Sequence, residues 1–91
     1  MKIACIDHAA ADRLKLQSQF QKAFELCRDT FGYVSLVDAY PSTKEEVLHG
    51  AEPDAIAIGA GFGLEESYLL VKELRHQNPF TPILLFLPES S

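Results

Sequence analysis

Few residues of this chain are placed to do chemistry, and they gather at two points. Asp7 and His8 follow a short apolar run, Ile3-Ala-Cys-Ile6. Gly59-Ala-Gly-Phe-Gly63 follows another, Pro53-Asp-Ala-Ile-Ala-Ile58. A carboxylate beside an imidazole begins a metal site, but two candidate ligands do not complete one, and Mg²⁺ wants more oxygen donors. The plainer role for Asp7, and the preferred one, is an acid at a strand end that caps the following helix or loop. A glycine-rich loop ahead of a helix can cradle an anion on its backbone N–H groups. This loop departs from G-x-G-x-x-G: Leu64 stands where the last glycine belongs, no lysine follows, and Glu65 and Glu66 would repel a phosphate. The plain alternative is a loop whose glycines supply positive φ. Gly59 is the pivotal residue. It lies where a strand gives way to loop and helix, which is where open α/β sheets place their sites, and it has no side chain.

The remaining reactive types are sparse. His49 and His76 sit near predicted helix ends, where a cation is favoured, and need no other role. Cys5 falls in an apolar strand, and Cys27 on the apolar stripe of a helix. Both read as reduced thiols acting as small apolar residues. No nucleophile–base pair or metal cluster can be assembled, so no enzyme, no metal and no cofactor are expected.

The elements that must position these residues follow from periodicity. Residues 2–6 read as a strand. Residues 10–27 carry Leu16, Phe20, Ala23, Phe24 and Cys27 at helical spacing, with Asp12 at the favourable N-terminal end. Residues 33–37 are β-rich and end at Asp38. Pro41-Ser42 opens a short helix, with Ser42–Glu45 or Thr43–Glu46 as a capping box and Gly50 closing it. Residues 54–58 form a third strand. Residues 64–77 form a third helix with a buried stripe of Ser67, Leu70, Val71 and Leu74, leaving Tyr68 and Leu69 off it. Ile83, Leu84, Leu85, Phe86 and Leu87 form a fourth strand. Strict alternation of strand and helix predicts a parallel sheet covered on both faces, in right-handed crossovers. The natural order is the flavodoxin-like 2-1-3-4 in a three-layer sandwich, with Asp7 and Gly59 flanking the switch point.

Composition narrows the partners. A chain of 91 residues is one small domain, and 47% hydrophobic content supports a packed core. The net charge of -5, with signs interspersed, argues against direct nucleic-acid binding and against anionic membranes. No apolar run is long enough to span a bilayer. Met1-Lys2 runs straight into a strand without a cleavage site, so no signal peptide and a cytoplasmic location are expected.

Taken together, these residues resemble the receiver domain of bacterial two-component response regulators. The likeness rests on Asp7-His8 after an apolar strand and on Arg13 six residues beyond Asp7. Gly32-Tyr33-Val34, then Ala39, Ser42 and Glu46, resemble the second strand and helix. Further matches are Pro53-Asp54 at the opening of the third strand, the spacing from Gly59 to Leu74-Arg75, and Pro82-Ile83-Leu84-Leu85. It covers essentially all of residues 1–91. The resemblance implies a phosphoacceptor pocket of Asp7, His8, Gly59 and Leu87 whose chemistry has been removed. The phosphoacceptor position is Gly59, the second acid is His8, and the phosphoryl-contacting Ser/Thr is Leu87. The family's lysine belongs to a fifth strand that this chain does not reach. A carboxylate nucleophile and a carboxylate-bound Mg²⁺ are what such a transfer needs. A narrower similarity is to the N-terminal domain of flagellar master regulators, which are σ54-dependent transcription activators. Another is to the pseudo-receiver of cyanobacterial clock proteins. Either implies a module of a longer protein.

The expectation is therefore a phosphorylation-independent pseudo-receiver in signal transduction or transcription control. It would act through protein–protein contact, as a homodimer or against another domain of its parent protein. The alternative is a small-ligand sensor, for a nucleotide or an anion, using the loop at residues 59–63. The candidate interface is the apolar edge strand, Ile83 to Leu87, with Tyr68 and Leu69, because an uncovered edge invites pairing. In a receiver a later helix would cover one face of that edge.

Overall fold

Ile3, Ala4, Cys5 and Ile6 are buried on both faces of the first strand, as a central strand of a parallel sheet requires. The computed structural model describes residues 1–31, 38–50 and 52–87. Within them the chain runs β1 (Lys2–Ile6), α1 (Ala10–Phe31), β2 (Asp38–Ser42), α2 (Lys44–Leu48), β3 (Ala55–Ile58), a 3₁₀ turn (Ala60–Phe62), α3 (Gly63–Gln77) and β4 (Ile83–Leu85). The four strands form one all-parallel sheet in the order β2-β1-β3-β4. This is the flavodoxin-like order expected from the alternation of elements.

Two cores flank the sheet. On one face Ala4, Ile6, Ile56 and Ile58 pack with Val47 of α2 and Leu70 and Leu74 of α3. On the other, Ile3, Cys5, Ala39, Ala55 and Ala57 pack with Leu16 of α1, joined by half-buried Phe20 and Phe24. Large residues on the first face and mainly small ones on the second match two helices on one side and one on the other. The stripe expected on α3 holds: Ser67, Leu70 and Leu74 are buried and Val71 half-buried, while Tyr68 and Leu69 are exposed.

Four expectations change. The strand that pairs with β1 on its outer side is Asp38–Ser42, where a turn and helix start were expected. The β-rich run at residues 33–37 lies outside the described residues. Pro41 is compatible with β2 because β2 is an edge. Asp38 N–H bonds to Met1 O at 2.8 Å, so alternation turns Ala39 and Pro41 outward. The Ala39 N–H is taken by Gln21 Oε1 at 3.5 Å, and Pro41 has none to offer. The short helix starts at Lys44 rather than at Pro41-Ser42, and of the two capping options it takes Thr43 with Glu46: Thr43 Oγ1 accepts the Glu46 N–H at 3.2 Å. It ends at His49, and Gly50 follows with φ +120°.

Cys27 is exposed, not buried on the α1 stripe. The reason is length. A helix of 22 residues is about 33 Å long, whereas a five-residue strand spans about 16 Å. The C-terminal half of α1 therefore runs past the sheet, exposing Ala23, Leu26 and Cys27. The fourth strand is shorter than expected, Ile83–Leu85, but its pairing continues through the Phe86 N–H to Ile58 O at 2.9 Å.

Candidate functional site

The carboxyl ends of β1 and β3 meet, as a switch point demands. Gly59 N–H donates to Ile6 O at 2.8 Å and closes the ladder there. Asp7, next on β1, is buried. Its Oδ1 accepts two backbone N–H bonds, from His8 at 2.7 Å and from Gly61 at 3.0 Å. The Arg13 guanidinium, through Nη1, donates to the carbonyls of Asp7 at 3.0 Å and His8 at 3.2 Å. Asp7 thus ties the β1 end to the 3₁₀ turn, and Arg13 ties it to the first turns of α1. This matches the preferred reading of Asp7 as an acid that caps a loop.

Gly59 does not need to be glycine for its backbone. Its φ is -74°, and only Gly63 in this loop has positive φ, at +78°. The reason is space. A Cβ at position 59 would lie 2.5 Å from Asp7 Cγ and closer still to Oδ2. A Cβ at Gly61 would meet Asp7 Oδ1 in the same way and would stand 3.5 Å from Asp12 Oδ2. Both glycines are small because the Asp7 carboxylate occupies the volume between them. The expectation of glycines chosen for φ is corrected to glycines chosen for close approach, except at Gly63.

Of the four pocket residues expected, three line one cleft. Asp7, Gly59 and Leu87 border a cavity of about 580 Å³ together with Asp12, Lys15, Gln19 and Phe86. His8 turns the other way. It is exposed, packs edge-on against Phe62 with centroids 5.8 Å apart, and borders a smaller cavity of about 210 Å³ with Arg13, Lys44 and Glu66. Asp12, Lys15 and Gln19 were not singled out from sequence as cleft residues. A helical face at i, i+3 and i+7 carried the signal for them, once the start of α1 is known to overhang Gly59.

These residues do not fit a Mg²⁺ ion. Asp7 already spends Oδ1 on two N–H donors, His8 points away, and no group of three or more His, Cys, Asp or Glu is placed to hold a metal among the described residues. Burial pushes the Cys5 thiol up to about 11, leaving it a poor nucleophile. Burial, with Glu46 nearby, also raises Tyr40 above the ordinary phenol range.

The expected interface residues are all at the surface or near it. Leu84, Leu85, Phe86 and Leu87 are exposed, with Leu87 at 55%, and Tyr68 and Leu69 are exposed on α3. Ile83 is half-buried against the α3-side core. Phe80, which sequence reasoning passed over, is 94% exposed at the turn before β4. That turn is held by Arg75, whose Nη1 donates to the carbonyls of Asn78, Pro79 and Thr81 at 3.2, 3.3 and 2.6 Å. No helix among the described residues is long and apolar enough to cross a membrane.

Searches of protein-family models, of curated proteins and of solved structures returned no match for this chain.

Proposed function

We propose that this chain is a receiver-like domain that works without phosphorylation, as a cytoplasmic protein–protein interaction module in bacterial signalling or transcription control, and that it self-associates. The observation that carries this reading is the filled pocket. At the position where a phosphoacceptor carboxylate would stand, the chain has a buried glycine, and the Asp7 carboxylate takes up the space beside it. The apolar surface around β4 supplies the contact that would replace the chemistry. A small-ligand role for the loop at residues 59–63 has less support. The Gly59 and Gly61 N–H groups are already bonded, and the Asp7 charge sits where an anion would enter.

The test is incubation with a small phosphodonor and Mg²⁺, followed by intact-mass measurement, alongside light scattering at micromolar concentration. No acyl phosphate and a mass of two chains are expected. A stoichiometric phosphoryl adduct would overturn the first half of the reading, and a stable monomer the second.

A further inference from the structure

The open edge of the sheet has a symmetry of its own. Ile56 N–H bonds to Pro82 O, and Phe86 N–H bonds to Ile58 O, each at 2.9 Å. In a parallel ladder, residues alternate between bonding one neighbour and facing the other side. Residues 82, 84 and 86 therefore direct their backbone groups to β3, and Ile83, Leu85 and Leu87 direct theirs to the open edge. The side chains alternate too. Leu84 is in register with Ala57, and Phe86 meets Phe20 with centroids 6.0 Å apart, so both lie on the α1 face. Ile83 packs on the α3-side core, which puts Leu85 on that side, while Leu87, past the end of β4, borders the cleft under α1.

We infer that β4 pairs with β4 of a second copy, antiparallel, about a two-fold axis passing beside Leu85, so that two four-stranded sheets become one of eight. The inference rests on the self-association proposed above and specifies its geometry. About that axis the outward residues match one another: Leu85 meets Leu85, and Ile83 meets Leu87. Each is a hydrogen-bonded pair, because all three residues present N–H and C=O to the edge. Leu84 then falls opposite Phe86 on the α1 face, beside Phe20. The run Ile83-Leu-Leu-Phe-Leu87 is apolar at every position in either direction and carries no charge, so no like charges are set opposite each other. That self-complementarity is what favours a second copy over an unrelated strand. The exposed Leu84, Leu85, Phe86 and Leu87 would be covered in one contact. Among the described residues the opposite edge offers fewer free donors, since the Ala39 N–H is already bonded and Pro41 lacks one.

The experiment uses L85C in a Cys27→Ser background, so that the one exposed native thiol is removed. Hydrogen-bonded antiparallel partners have Cα atoms about 5.5 Å apart, within reach of a disulfide. Mild oxidation is expected to give a disulfide-linked dimer. The companion variant L85K sets two ammonium groups opposite each other and is expected to weaken association at least about tenfold with an unchanged circular dichroism spectrum. A parent protein that is dimeric while L85C stays uncrosslinked, or a dimer that L85K leaves intact, overturns the edge pairing and leaves self-association through another surface standing. A monomeric parent removes both.

Discussion

The Asp7 carboxylate and the missing side chain of Gly59 occupy the same volume. One is a buried acid held by the N–H groups of His8 and Gly61, and the other is the residue that makes room for it. Gly59→Ala should therefore force Asp7 out of its bonds and destabilise the fold by about 1–3 kcal/mol, the usual range for overpacking. Asp7→Ala, which gives up two charge-assisted bonds, should also destabilise, by about 2 kcal/mol. The double variant should cost clearly less than the sum. A double-mutant cycle by urea unfolding reads the coupling, and strict additivity would mean the two residues do not compete for space.

The two thiols should behave differently. Cys27 is exposed and should react with a thiol reagent in the native protein, whereas Cys5, fully buried, should react only after unfolding. The raised Cys5 value also has a pH consequence. Between its ordinary 9.0 and about 11 the folded state holds a proton that the unfolded state has lost. Stability is thus fully present below about pH 9 and falls as pH rises through about 11, with Tyr40 acting in the same direction. Urea midpoints across this range should show the decline, and it should be shallower in Cys5→Ala.

Arg75 and Phe80 separate holding a turn from using it. Arg75→Met removes three contacts to carbonyls and should cost about 1 kcal/mol, with faster amide exchange in the turn. Phe80→Ala should leave stability within about 0.5 kcal/mol, because the ring is 94% exposed. A large loss in Phe80→Ala by thermal unfolding of the dilute protein would contradict the placement of this turn.

Ser67 is buried on α3, and its hydroxyl finds no partner among the described residues. Ser67→Ala removes an unpaired polar atom and improves helix propensity, so a gain of roughly 0.5–1 kcal/mol is expected. A loss measured by urea unfolding would mean that the hydroxyl is bonded in solution.

Much of the architecture was legible because it depends on local pattern. The apolar runs at β1 and β3, the stripe on α3 and the alternation of elements specify a parallel sheet and its order. The second strand was not legible in the same way. Asp38, Ala39 and Pro41 make a poor strand by propensity, and the tolerance of an edge explains it. The site was half readable. Position 59 drew notice by its spacing and by its lack of a side chain. What fills the gap is the Asp7 carboxylate, which accepts the Gly61 N–H across 54 positions of sequence, and no local rule encodes such a contact. For the same reason Gly59 suggested backbone freedom, while its real constraint is a neighbour. Cys27 misled because the helical period continues after the sheet beneath it has ended.

Pro41 and Gln21 have a consequence for how far assembly can go. A protein with two open sheet edges can add copies without limit and grow into a fibre. Here the β2 edge has been silenced, one donor capped by Gln21 and the next deleted by proline. Joining two molecules through β4 would cover the apolar border and leave at each end, among the described residues, the β2 border with its outward donors spent. The product would be a closed particle of two, whose amount rises with concentration but whose size does not.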